Sequence, residues 1–209
     1  MNAAHSKSAF VYRQVKRALQ SGRYAPGQRI DPGRLAEEFH TSPTPVRFAL
    51  YRLVGEGLVA DHARNGLHVP LLTELALRDL YDWMERMLLM ACDIGIAPPD
   101  EAATQLQLSS TDDDLVDITW QLFDAIAEAS GHGALRHAVM QANDRLTPVR
   151  RANLGLVKHT YEELVALLDH WQRRDIPALR ASLRQYHERR KQAVPHIVAA
   201  LNDRTDGHH

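Results

Sequence analysis

Apolar residues recur at helical spacing from the start of the chain. Phe10, Val11, Val15, Ala18 and Leu19 share one side of residues 8–21, with Arg13, Lys16 and Arg17 on the other. Ser21-Gly22 ends that helix, and Ala25-Pro26-Gly27 forms a turn. Asp31 reads as an N-cap, with Pro32 in the first helical position of a short helix reaching about Phe39. A second cap falls at Ser42, again followed by a proline. The next helix, from about Thr44 to Glu56, turns Val46, Ala49, Leu50 and Leu53 inward before Gly57 stops it. Two short apolar runs follow, Leu58-Val59-Ala60 and Leu67-His68-Val69, separated by His62-Ala63-Arg64-Asn65-Gly66. Asn-Gly between apolar runs signals a hairpin. Three helices and a hairpin are the outline of a winged helix-turn-helix.

Beyond Pro70 and Thr73 every pattern is helical. Helices are expected over 75–95, 100–108, 112–129, 134–149, 151–173 and 176–202, with Leu115, Ile118, Leu122 and Ile126 facing inward in the third of these. Ser130-Gly131-His132-Gly133 breaks the chain between two of them. The expected fold is therefore mostly α: a winged helix-turn-helix over residues 1–71, an all-α helical bundle over 72–203, and a short tail, 204–209.

Charge sharpens this division. The net charge of −1 is uninformative, but residues 1–70 carry ten Lys and Arg against five Asp and Glu, and the remainder carries 15 against 21. A basic front and an acidic back suit a nucleic-acid-reading head on a body that phosphate repels. Cys92 is the single cysteine, which excludes an internal disulfide and any cysteine-built zinc site. The start of the chain lacks the apolar core of a signal peptide, and the longest apolar run, Met87–Cys92, is far too short to span a bilayer. A cytoplasmic protein without membrane contact is expected. No nucleophile, base and orienting group fall at usable spacing, so a helical-domain hydrolase is the weaker alternative and a non-enzyme the expectation.

The helix opening at Ser42 carries the chemistry of DNA contact. Its unsatisfied backbone N–H groups favour phosphate, and the Ser42 and Thr44 hydroxyls add donors. Arg47, one turn beyond Thr44, can reach a guanine edge in the major groove. Arg34 on the preceding helix lies at the groove edge, while Arg64, Asn65 and Gly66 form a wing tip small enough for the minor groove.

The run Ser21-Gly22-Arg23-Tyr24-Ala25-Pro26-Gly27-Gln28-Arg29-Ile30, then Leu35-Ala36-Glu37-Glu38-Phe39 and Ser42-Pro43-Thr44-Pro45-Val46-Arg47-Phe48-Ala49-Leu50, resembles the GntR family of bacterial regulators. The likeness continues through Leu53–Val59 to Asn65–Val69. It implies that Arg34, Ser42, Thr44, Arg47, Asn65 and Gly66 occupy DNA-contacting positions. Many members have an arginine where this chain has Pro43, which implies an altered operator.

The back half resembles the helical ligand-binding domain of the FadR-type branch of that family, on Ala125–His132 and on Leu164–Asp175 followed by Ala178–Leu183. Many relatives hold a divalent metal there with an Asp and three His. The matching positions here are Thr119, Phe123, Leu164 and Tyr186, so the resemblance implies a lost metal site, no cofactor, and an effector pocket lined by these four. Met84 and Leu88 stand where relatives often have Arg and Glu. An apolar pocket follows, for an effector less ionic than a simple organic acid, or for none. The function implied is that of a ligand-responsive regulator, a repressor in the simplest case, binding a near-palindromic operator as a homodimer. A ligand-independent DNA-binding protein is the alternative.

Overall fold

The computed structural model describes residues 3–95 and 112–206, and the helix expected over 100–108 lies outside them. The backbone is mostly helical, in the order α1 (Ala3–Gln20), α2 (Pro32–Glu38), α3 (Pro43–Gly55), β1 (Ala60–His62), β2 (Gly66–His68), α4 (Glu74–Ile94), α5 (Asp112–Ala129), α6 (Gly133–Ala152), α7 (Thr160–Gln172) and α8 (Ile176–Asp206). This is the expected class, a winged helix-turn-helix and an all-α unit. The chain divides into two compact units, one comprising residues up to Leu72 with those from Ala200 onward, the other Thr73–Ala199. Among the described residues no helix is long and apolar enough to cross a membrane.

In the first unit, Val11, Val15 and Leu19 of α1 meet Leu35 and Ala36 of α2, Val46, Ala49, Leu50 and Leu53 of α3, and Leu58, Val59 and Leu67 beyond it. That burial is what keeps α2 helical, because seven residues are too few to hold a helix in water. Asp31 starts α2 as expected: its Oδ1 accepts from the N–H of Gly33 (2.7 Å) and of Arg34 (3.3 Å). Those two donors hold its carboxyl below the ordinary carboxylate range.

One ion-pair cluster ties α1 to the end of α3. The Tyr12 hydroxyl lies 2.8 Å from both Glu56 carboxylate oxygens, with Lys16 Nζ at 3.3 Å and Arg52 Nε at 3.2 Å. Burial pushes the Glu56 carboxyl up, but the Tyr12 hydroxyl, Lys16 and Arg52 together outweigh it and leave it lowered.

The wing differs from expectation in two ways. β1 and β2 pair antiparallel with His62 opposite Gly66, and Asn65 N–H donates to the His62 carbonyl at 3.0 Å. Ala63 and Arg64 therefore form the tip, while Gly66 opens β2 at φ +77°, a value that favours glycine. Residues 27–30, expected as turn and connection, lie against β2: Ile30 N–H donates to Leu67 O (2.8 Å), Gly27 N–H to Val69 O (2.9 Å), and Val69 N–H to Gln28 O (2.9 Å).

In the second unit α5 packs against α4, α6 and α7. Leu77, Tyr81, Met84, Met87 and Leu88 of α4 are fully buried, as are Leu122, Phe123 and Ile126 of α5 and Leu179 and Leu183 of α8. Cys92 is buried, and that burial pushes its thiol up. One expectation is corrected. The single helix over 151–173 is instead the end of α6, a turn, and α7: Gly155 (φ +87°) and His159 (φ +62°) take left-handed backbone that no helix continues through. Trp171 is 2% exposed and is a core side chain, with the Arg174 guanidinium 4.1 Å from its ring centre.

Candidate nucleic-acid interface and effector cavity

The inner face of α3 is consumed by the core, and what remains outside includes Thr44, Arg47, Phe48, Tyr51 and Arg52. Ser42 and Thr44 are exposed at its start, Arg34 is exposed on α2, and Arg64 is exposed at the wing tip with Asn65, also exposed, next to it. The structure thus leaves the sequence-expected contact side chains open on three neighbouring elements of one unit. Arg34, Arg47 and Arg64 make no ion pair among the described residues, whereas Arg23 is held by Glu38 at 2.9 Å and Arg52 by Glu56 at 3.2 Å. A cation without an internal carboxylate keeps its full attraction for phosphate.

Ser42 is the exception to expectation. It occupies the N-cap position in extended backbone, yet its side chain makes no capping hydrogen bond. The cause lies in the sequence. A capping hydroxyl accepts from the second or third helical N–H, and Pro45, in the third position, has none. Pro43 removes another, so of the four unsatisfied groups at this helix start only the Ser42 and Thr44 N–H remain. The backbone anion site is half what a proline-free helix offers, and the hydroxyls and arginines carry correspondingly more of any phosphate contact.

Phe48 and Tyr51 were not singled out from the sequence. They are 67% and 56% exposed, side by side on the outer face of α3. Their signal was available: each lies off the Val46, Ala49, Leu50, Leu53 stripe, and large aromatics seldom occupy a solvated helix face without a partner.

In the helical unit, Thr119, Phe123, Leu164 and Tyr186 are all buried. Thr119 and Tyr186 line one cavity with Leu115, Val116, Arg150, Asn153, Thr160 and Arg190. Phe123 packs edge-on against Tyr186 with ring centres 5.3 Å apart, whereas Leu164 is not part of the lining. The expectation of an apolar pocket is corrected here. Arg150 and Arg190 are 6% and 4% exposed, and their guanidinium groups stand where an apolar wall was expected. This set does not fit a divalent metal: its buried charges are positive, and among the described residues no three His, Cys, Asp or Glu converge to hold one.

His187, next to Tyr186, is fully buried. Its Nδ1–H donates to the Leu183 carbonyl at 2.7 Å, and Nε2 has no hydrogen-bond partner among the described residues. Burial lowers its pKa to about 3, helped by the positive charge of Arg150, Arg190 and Lys191, so the ring is neutral. Arg190 is balanced differently. Burial pulls its pKa down, but Tyr186 and Glu163, whose Oε2 lies 2.8 Å from Nη1, more than reverse this.

Residues 7–69 match the sequence model of the gntR family of bacterial regulatory proteins. The HTH-type transcriptional regulator YdhC of Bacillus subtilis strain 168 is 25% identical over 145 residues, 64% of this chain. The match spans 65% of YdhC, just under two thirds of its length. Among solved structures, E. coli McbR/YncC has a TM-score of 0.69 at 20% identity, covering 94% of this chain and 99% of its own. A protein of Rhodococcus sp. RHA1 described as a transcriptional regulator GntR reaches 0.72 at 16% identity, over 90% and 97%. At such identities the likeness speaks for the fold alone. In sequence and in their three-helix-and-wing fold, residues 7–69 of this chain are similar to the gntR family of bacterial regulatory proteins.

Proposed function

We propose that the protein is a cytoplasmic transcriptional regulator. It grips a near-palindromic operator as a homodimer, and a small molecule in its FadR-type helical domain sets operator occupancy. The observation that carries this reading is the outer face of α3, where Thr44 and Arg47 stand exposed and the guanidinium has no ion-pair partner among the described residues. A homodimer is supported by α4, whose exposed Leu75, Trp83, Met90 and Ile94 are spaced by eight, seven and four residues along one face. Two heads related by a two-fold axis double the half-site contacts. A ligand changes occupancy only if it prefers one of two arrangements of the heads.

The test begins with duplexes selected by the full-length protein from a random pool. Arg47→Ala is expected to lower affinity for the selected duplex by about 1–3 kcal/mol, roughly 5- to 150-fold, with unfolding unchanged. Unchanged affinity removes Arg47 from the interface. Phe48 is expected to cover a thymine methyl group, because an exposed apolar ring beside a base-reading arginine has no better partner in the major groove. Replacing that thymine by deoxyuridine removes one methyl, worth about 0.8 kcal/mol or roughly fourfold in affinity. In Phe48→Ala the two duplexes are expected to bind alike.

A further inference from the structure

Arg150 is the one buried cation of the cavity wall that lacks a carboxylate among the described residues. It sits at the end of α6, and Asn143 one face-repeat earlier aims it: Arg150 Nη1 donates to Asn143 Oδ1 at 2.7 Å and lies 3.4 Å from its carbonyl oxygen. Asn143 is fixed in turn, its Nδ2 donating to the Trp120 carbonyl at 2.9 Å. The other edge of the guanidinium, Nε and Nη2, is buried with no hydrogen-bond partner among the described residues, and the Phe123 ring centre lies 5.3 Å from the guanidinium carbon. That edge is the planar fork which grips a carboxylate or phosphate through two parallel hydrogen bonds.

Among the described residues the surroundings do not supply the missing charge. Arg190 is neutralised by Glu163, and its guanidinium lies flat on the Tyr186 ring, 3.3 Å from the ring centre. The Asn153 Oδ1 is buried without a hydrogen-bond partner among the described residues too, and a half-turn of its amide presents N–H to the same space. The cavity holds about 30 Å³ for water-sized occupants, within about 360 Å³ of atom-free space that includes its mouth. One water needs about 10–15 Å³ by the former measure, so a single oxyanion group fits inside and the rest of a ligand extends outward. An ionised guanidinium removed from water without a counter-charge is costly. An anion at the fork removes that cost.

We propose that the cavity between α5, α6, α7 and α8 is a metal-free site for a small oxyanion, with the Nε and Nη2 edge of Arg150 as its bidentate clamp. The site takes a carboxylate or phosphate group, and Asn153, Thr160 and Tyr186 border the remainder of the ligand. Its role as a regulatory site rests on the function proposed above, whereas anion binding itself does not.

All three tryptophans, Trp83, Trp120 and Trp171, lie between Thr73 and Ala199, so their fluorescence follows unfolding of the helical unit. Inorganic phosphate, acetate and succinate are titrated separately into the full-length protein at constant ionic strength held with chloride. At least one is expected to raise the fluorescence-detected midpoint by about 5 °C near hundredfold saturation. Phosphate acting alone identifies a phosphate site, and acetate or succinate acting alone a carboxylate site. Arg150→Met is expected to lose that response, weakening binding at least tenfold, without lowering the anion-free midpoint, because the change removes an uncompensated buried charge. Arg150→Lys keeps the charge but not the fork, and is expected to bind at least tenfold more weakly than wild type. Arg145→Met, an exposed arginine on the same helix, is expected to respond like wild type. No response to any of the three anions, or a full response in both Arg150 variants, overturns the site. Selected-duplex affinity measured on the same samples separates the two readings: anion binding without duplex binding sinks the regulator and leaves the site standing.

Discussion

Leu50→Ala is expected to unfold the head while the helical unit stays folded. Leu50 lies on α3 at 0% exposure, among Val11, Val15, Leu35, Val46, Leu53 and Leu67. Truncating a buried leucine costs about 2–5 kcal/mol, the transfer term plus that of a cavity the neighbours fill incompletely. A domain of this size has roughly 5–15 kcal/mol in total, and the small ones sit at the low end. The loss therefore consumes most of the head's stability, and duplex binding goes with it because Thr44 and Arg47 are carried by the same helix. Far-UV circular dichroism follows both units and tryptophan fluorescence only the second, since the head contains no tryptophan. The expected result is a dichroism transition that splits or moves to lower urea beside an unmoved fluorescence transition. A variant whose two probes match wild type would show that the core around α3 is not what holds the recognition face in shape.

Acidification is expected to weaken the helical unit through His187 by about 3 kcal/mol between pH 7 and pH 4. The sign follows from the two states. In the unfolded chain the ring accepts a proton near pH 6.5, and in the folded chain only near pH 3, because it is fully buried and faces Arg150, Arg190 and Lys191. Below pH 6.5 the unfolded state binds the extra proton, so the neutral ring's contribution is complete above that value and is lost as pH falls toward 3. Urea unfolding followed by tryptophan fluorescence gives the magnitude. In His187→Asn, where the amide can still donate to the Leu183 carbonyl, the stability at pH 7 is expected to drop, while the pH 7 to pH 4 difference shrinks by about 3 kcal/mol. Equal acid sensitivity in the two proteins would mean that the ring is protonated, or solvated, in the folded state.

What was legible in the sequence follows from which physical signals are local. The α3 stripe of Val46, Ala49, Leu50 and Leu53 is a helical period visible in thirteen residues, and the structure buries all four. The Asp31-Pro32 start is equally local, and both of its hydrogen bonds form. The strand-like pairing of residues 27–30 was not readable, because three or four residues show no period and their partner lies some forty positions on. At Ser42 the expectation of a cap weighs the hydroxyl and overlooks the missing proline N–H one and three positions away, although the information is present. The break between α6 and α7 was hidden for a different reason: Gly155 alone marks it, and His159 takes positive φ without being glycine.

The cavity was misread because a buried arginine and a solvated one look alike in composition. Position is the better guide. Arg150 stands four residues after Leu146 and seven after Asn143, and Arg190 seven after Leu183, so both continue inward stripes rather than outer faces. A cation in such a register needs a counter-charge from somewhere. Glu163 provides it for Arg190, and for Arg150 none is found among the described residues.

The most direct measurement is equilibrium binding of the full-length protein to its selected duplex across a salt series. Arg34 and Arg64 of each head, placed on phosphates in a dimer, give about four neutralised charges and a slope of log K against log salt near −3.6. Arg34→Ala is expected to flatten that slope by about two charges' worth without changing the selected sequence. Indifference to every duplex at low ionic strength, or an affinity that salt leaves untouched, would contradict the claim that α3 and its flanking arginines rest on DNA.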